Sequence, residues 1–225
     1  YEPAEPVMRP QEIERIVRIA HGLGVDKVKL TGGEPMLRPD IMEIVGRVKG
    51  VGITDLSMTT NGTRLARLAG VLREKGLDRV NISLHSLREE RYTFITNTHS
   101  HRETMEAIGA SVEAGLMPVK LNVVVMKGLN DDEIDEMIRF TAGLGGGEKV
   151  ILQLIELIST QPRFYGVYHV DLSAIEERLR RTATSVTTRR LHNRPRYCLP
   201  NGVVVEVVRP CLLYTSPSPR DRQKS

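Results

Sequence analysis

Cysteine is scarce in this 225-residue sequence: Cys198 and Cys211 are the only two. Two thiols cannot build a disulfide framework or, by themselves, a four-thiolate cluster site. Tryptophan is absent and aromatic residues make up 4% of the chain, too few for the stacking platform of a nucleic-acid binder. The 32 basic residues exceed the 28 acidic ones by a formal charge of +4. They are scattered among the acids rather than gathered into a phosphate-tracking stripe, so nucleic acid is not an expected partner. No apolar run reaches the roughly 18 residues of a spanning helix. The stretch Tyr1-Glu2-Pro3-Ala4-Glu5-Pro6 has neither the basic region nor the apolar core of a signal peptide. The expectation is therefore a cytoplasmic protein with no membrane partner. What remains, 40% hydrophobic and 27% charged, is the composition of a globular domain long enough for an α/β barrel or a doubly wound sheet.

Helical and extended periodicities alternate along the chain. Pro10 to His21 carries apolar residues at Ile13, Ile16, Val17 and Ala20 and is ended by Gly22 and Gly24. Strands are predicted at 25–30, 53–58, 79–84, 119–126 and 150–157, and helices at 41–48, 65–75, 102–114 and 131–144. Successive strands lie roughly 25 to 40 residues apart, room for one helix and two turns, which predicts βαβ units and a parallel sheet. Beyond Thr160 the pattern changes to a helix at 172–180 and β-rich segments at 185–191 and 196–208, the latter folded at Pro200-Asn201-Gly202. These segments read as an appendage on the barrel. Cys211 to Ser225 is aperiodic and resembles translated sequencing-adapter sequence, with a natural disordered tail as the alternative.

In a parallel α/β barrel, ligands sit at the C-terminal strand ends. The first such loop is Thr31-Gly32-Gly33-Glu34-Pro35, in which glycines admit a close ligand and Glu34 offers a carboxylate; an ordinary tight turn is the alternative. The second is Thr59-Thr60-Asn61-Gly62, a ligand-facing set of polar groups or an Asn-Gly turn with a Thr helix cap. In Val80-Asn81-Ile82-Ser83-Leu84-His85 the period of two puts Asn81, Ser83 and His85 on one face, which is wet or liganded. His85 itself reads as a hydrogen-bonded histidine, because nothing near it has metal-ligand spacing. Lys120 and Asn122 share a face of the apolar strand 119–126. A buried ammonium needs a carboxylate, with Glu156 on the next strand the candidate, or an anionic ligand. His99 and His101 are expected to be solvated and Cys198 to be a small core residue; Met36, Met105, Met117, Met126 and Met137 are expected to pack.

The TGGEP loop, the TTNG loop, the NxSLxS strand, the VKLNVVVMKGxND strand and the IEL strand, in this order and spacing, resemble the radical S-adenosylmethionine superfamily. Within it they resemble the GTP 3′,8-cyclase family of molybdenum cofactor biosynthesis in its archaeal form. The resemblance covers roughly residues 7 to 210. It implies an α/β fold, a partial (β/α)6 barrel of which the first strand would precede Tyr1, with the β-rich segment as a C-terminal appendage. It implies conversion of GTP to (8S)-3′,8-cyclo-7,8-dihydroguanosine 5′-triphosphate, with S-adenosylmethionine and two [4Fe-4S] clusters as cofactors. Carried over by motif, Gly33, Glu34, Pro35, Asn61, Ser83 and Ile158 would meet S-adenosylmethionine, and Lys29, Thr59 and Lys120 would meet GTP. Partners implied are an electron donor, the enzyme that takes the cyclised product, and a second copy of the chain.

The family's cluster-binding CxxxCxxC is not in the sequence, and Cys211 stands where the aperiodic tail begins, so it is not assigned as a ligand. The expectation is a fragment divided into an incomplete barrel (1–160), the start of a C-terminal GTP and second-cluster region (161–210) and a non-native tail (211–225). Such a fragment is expected to be inactive without its clusters, with no catalytic or metal-binding residue of its own. The competing readings are another radical S-adenosylmethionine enzyme, a cluster-free nucleotide-binding barrel, and an aldolase-like barrel with Lys120 as a Schiff-base nucleophile.

Overall fold

The computed structural model describes residues 7–147, 149–158, 161–188 and 194–209. The readings of Tyr1 to Pro6 and of the tail from Cys211 to Ser225 fall outside these residues.

Helix α1 (Pro10–Gly22) starts where Pro10 presets the first turn and the Glu12 carboxylate accepts from the Arg9 backbone N–H at 2.7 Å. It leads into β1 (Lys27–Leu30). A short 3-10 turn (Pro35–Leu37) precedes α2 (Ile41–Gly50), whose Ile41, Ile44, Val45 and Val48 form one buried stripe. Then follow β2 (Asp55–Thr60), α3 (Ala69–Glu74), β3 (Arg79–Ser83), α4 (Glu89–Thr96), α5 (His101–Glu113), β4 (Val119–Val125), α6 (Ile134–Gly143) and β5 (Val150–Glu156). Helices α7 (Pro162–Tyr168) and α8 (Ser173–Thr182) lead to β6 (Ser185–Thr188), β7 (Pro195–Cys198) and β8 (Val204–Val208). Helix α4 escaped the sequence reading because its apolar residues do not share a stripe: Tyr92 is buried while Phe94 is exposed. Helix α7 contains no buried residue at all.

Eight strands form one sheet in the order β1-β2-β3-β4-β5-β8-β7-β6. Strands β1 to β5 and β8 are parallel, and β8, β7 and β6 continue as an antiparallel meander. The segment expected as an appendage thus joins the main sheet. The reason is in Val203-Val204-Val205-Glu206-Val207, all buried: a strand buried on both faces belongs inside a sheet, not at its margin. The hairpin itself forms where expected, with Gly202 at φ +81° and its N–H donating to Leu199 O at 2.9 Å.

Alternation divides the sheet into two faces. Leu56, Met58, Val80, Ile82, Val119, Leu121, Val123, Leu152 and Leu154 join Ile44, Val48, Leu72, Ala107, Ile108 and Met137 from the helices in one continuous core. The opposite parity carries Lys29, Ser57, Asn81, Lys120, Gln153 and Glu206, giving the sheet a polar face. Among the described residues no helix is long and apolar enough to cross a membrane.

Candidate active site

The loops after β1 and β2 are built as one unit around Glu34. Its Oε1 accepts from the Thr60 hydroxyl at 2.7 Å and from the Met36 backbone N–H at 3.0 Å, and its Oε2 accepts from the Asn61 backbone N–H at 2.7 Å. Two motifs that lie 26 residues apart in sequence are therefore tied by one carboxylate. Gly32 stands at φ +145° and Gly62 at φ +87°, backbone that side-chain-bearing residues rarely adopt. Asn61 closes an Asx turn, its Oδ1 accepting from the Thr63 N–H at 3.0 Å. The turn reading of TTNG thus holds together with a place at the strand ends, whereas the Thr cap does not form: α3 begins at Ala69 with Leu68 at its N-cap, and the Thr60 hydroxyl is spent on Glu34.

Asn61, Ser83 and His85 line a cavity of 440 Å³ whose other walls include Tyr92, Val124, Met126, Leu157 and Phe164. A few polar groups set in an apolar wall suit a small organic ligand. His85 is hydrogen-bonded as expected: its Nδ1 accepts from the Val124 backbone N–H at 3.3 Å. Burial holds its pKa below the ordinary 6.5, so the ring is neutral. The floor is fixed by the MKGLND segment. Asn130 Oδ1 accepts from Met126 N–H at 2.7 Å, while Nδ2 donates to His85 O at 2.6 Å and Val124 O at 2.9 Å. One buried amide thereby locks the ends of β3 and β4 together.

A second cavity, of 410 Å³, lies on the polar face. It is lined by Lys27, Lys29, Arg79, Lys120 and Arg194 with Asp55, Ser57, Asn81 and Gln153. Five cationic side chains against one carboxylate give the wall a positive balance, although Arg79 is paired with Asp55 at 2.7 Å and Lys120 with Glu206. Asn81 is 3% exposed and its Oδ1 is buried without a hydrogen-bond partner, as is Asn122 Oδ1. Of the two, Asn81 lines this cavity, and a buried acceptor left unpaired costs about 1–3 kcal/mol until an N–H or O–H group meets it. Lys120 Nζ lies 2.5 Å from Glu206 Oε2, with side chains 4% and 1% exposed.

The structure therefore brings Asn61 and Ser83 to one cavity and Lys29 and Lys120 to the other. Thr59, half-buried, pairs in register with Asn81 between them. Gly33 is exposed at the strand ends, Pro35 is buried beneath them, and Ile158 is exposed beyond the end of β5. Lys120 is not paired with Glu156. Glu156 stands in register with Val125, on the opposite parity from Lys120, and its carboxylate meets His169 Nε2 at 3.0 Å. The amine that the aldolase-like reading needs as a nucleophile is held in an ion pair instead. His99 is exposed, whereas His101 is half-buried and packs edge-on against Tyr92 at 5.3 Å. Cys198 is half-buried rather than core, and Met117 is exposed, whereas Met36, Met126 and Met137 are buried. Sequence reasoning missed Arg79, Asp55, Gln153 and Glu206. The signal was available, since a lone polar residue in L-Q-L or V-E-V is the same anomaly that singled out Lys120.

Comparison with known proteins places this geometry. Residues 1–141 match the pattern of the Radical SAM superfamily. A protein of Thermococcus kodakarensis named "Probable GTP 3′,8-cyclase" is 49% identical over 213 residues, covering 92% of this chain and 67% of that protein. Proteins of the same name from Thermoplasma volcanium and Pyrococcus horikoshii are 45% and 47% identical, each over 90% of this chain and over 63% and 65% of their own lengths. The chain thus spans about two thirds of the curated relatives it matches. Among solved structures, Streptococcus suis SuiB aligns with a TM-score of 0.64 at 19% identity, over 77% of this chain and 39% of that one. A radical SAM methyltransferase from Sphaerobacter thermophilus aligns with a TM-score of 0.59 at 18% identity, over 92% and 59%.

Proposed function

Because the chain belongs to the radical SAM superfamily, we propose that it carries the S-adenosylmethionine-binding and GTP-binding portion of a GTP 3′,8-cyclase. The identity of 40% or more to relatives bearing that name supports the reading. So does the one structural observation that carries it: a cation-lined cavity and a cavity of nucleoside size on adjoining parts of a single sheet. When bound, S-adenosylmethionine and its iron–sulfur cluster supply a hydrogen-abstracting radical.

The fit of the residues differs between the groups. The 440 Å³ cavity, with Asn61 and Ser83 as polar anchors in an apolar wall, suits S-adenosylmethionine, and we assign Gly33, Glu34, Pro35 and Ile158 to its rim. Glu34 acts there by fixing the loop backbone, since both its oxygens are engaged by the protein. Cluster ligation does not fit: among the described residues no three His, Cys, Asp or Glu side chains converge as a metal ion requires. These residues bind and orient rather than hold iron. Lys29 and Lys120 would neutralise the triphosphate, Thr59 would reach its sugar, and the unpartnered Asn81 Oδ1 would accept from a ligand hydroxyl or amine. Closure of the sheet into a partial barrel, a second cluster, an electron donor, an enzyme that takes the cyclised product, and a homodimer belong to the same proposal.

The test is calorimetric titration of the full chain with GTP and with guanosine. GTP binds and guanosine binds at least an order of magnitude more weakly, because charge-assisted contacts contribute about 1.5–3 kcal/mol each. Lys29→Ala weakens GTP about tenfold or more by the same contact. Equal affinities for GTP and guanosine would overturn the reading.

A further inference from the structure

Glu206 is a carboxylate that stands behind the wall of the polar-face cavity rather than on it. It is 1% exposed, and two of the residues it meets, Lys120 and Gln153, line the cavity. Its Oε2 accepts from Lys120 Nζ at 2.5 Å and from Gln153 Nε2 at 2.9 Å, while Oε1 stands 3.5 Å from Arg196 Nε. Stability alone does not account for the arrangement, since exchanging a buried ion pair for apolar packing of the same volume is often neutral or stabilising, and the flanking positions are all valine. Its consequence lies in charge. An anion that enters the cavity and meets Lys120 meets an ammonium already engaged by a carboxylate, and every negative charge of the ligand is repelled by that carboxylate through a water-poor wall.

We propose that Glu206 is a positioning residue that competes with the anionic ligand for Lys120 and thereby sets the affinity and the charge preference of the cavity. The carboxylate holds the ammonium in place while the cavity is empty and lowers the affinity for highly charged phosphates, so that a bound polyphosphate can leave. The repulsion grows with ligand charge, whereas the geometry of the wall does not. The inference rests on reading this cavity as a phosphate site, but not on the identity of the base.

The experiment compares the full chain with Glu206→Gln, using inorganic pyrophosphate, inorganic triphosphate and GTP as titrants in calorimetry. Expected is tighter binding in the variant, by about tenfold for pyrophosphate and by more for triphosphate and GTP, as Coulomb repulsion from a single removed charge requires. A misfolded variant loses affinity, so a gain graded by charge cannot arise from structural damage. Should Glu206→Gln alone fail to fold, Lys120→Met is compared with the double variant Lys120→Met, Glu206→Gln, where both members of the pair are absent; a smaller gain of the same sign is expected. Unchanged or weaker binding of all three titrants overturns the proposal, and so does a gain that is the same for pyrophosphate and triphosphate. If neither inorganic anion nor GTP binds, the phosphate-site reading falls and this inference falls with it. If the inorganic anions show the graded gain while GTP binds no better than triphosphate, the inference stands and the nucleotide reading falls.

Discussion

At the scale of single residues, this chain uses polar side chains to fasten backbone more than to present chemistry. Glu34 ties the TGGEP and TTNG loops with three accepted hydrogen bonds, and Asn130 locks the ends of β3 and β4 with three of its own. Glu34→Gln keeps the shape but turns one acceptor into a donor that faces the Thr60 hydroxyl or the Asn61 N–H. We expect a loss of about 0.5–1.5 kcal/mol in urea unfolding, the net contribution of one hydrogen bond at a partly buried site. A loss below about 0.5 kcal/mol, the range of ordinary surface changes, would show that the carboxylate is not what joins the loops. The sequence singled out Glu34 as a possible ligand group. Its engagement on both oxygens became visible only with Thr60 and Asn61 beside it.

Among the elements, the glycines separate positions that need them from positions that tolerate them. Gly62, at φ +87°, enters the turn after β2, and a Cβ there would stand 3.2 Å from Ala107 Cβ and 3.4 Å from Ile82 Cγ2. Gly109, in the middle of α5, has nothing within 4 Å of its added Cβ. Gly62→Ala is expected to destabilise by about 1–3 kcal/mol through backbone strain and crowding. Gly109→Ala is expected to stabilise by about 0.5–1 kcal/mol through helix propensity. Parallel urea titrations of the two variants check the pair, and shifts of the same sign would refute the assignment of Gly62 to a strained, closely packed turn. Most elements were legible because their apolar spacing is regular: the α2 stripe of Ile41, Ile44, Val45 and Val48 is as plain in the sequence as in the core. Helix α4 was not legible, because Tyr92 packs inward and Phe94 outward without a shared stripe. The pairing of β8 was also hidden, since a valine run shows that a strand is buried but not which strand lies beside it.

For the whole molecule, stability should fall in two stages as pH is lowered. Burial holds His85 below its ordinary 6.5. Below that value the unfolded chain takes up a proton that the folded chain does not, so stability declines as pH falls through the interval beneath 6.5. Asp40 and Asp132 are held below 3.8, first by hydrogen bonds from Arg38 and Arg91, and Asp171 by those from Ser173. Their contribution is present above 3.8 and is lost as pH falls through the lowered values. Denaturant unfolding across the acid range reads both stages, and His85→Gln should remove the first while leaving the second; an unchanged first stage would exclude His85 as its source. The sequence by itself determined the alternation of helix and strand, the two faces of each strand and the motifs at the strand ends, because periodicity and turn chemistry are local properties. Only the tertiary structure decided that β8 is the sixth parallel strand, that Lys120 faces Glu206 rather than Glu156, and that five scattered cations line one cavity. Those outcomes depend on strand order and register, and no local pattern encodes which distant segments become neighbours.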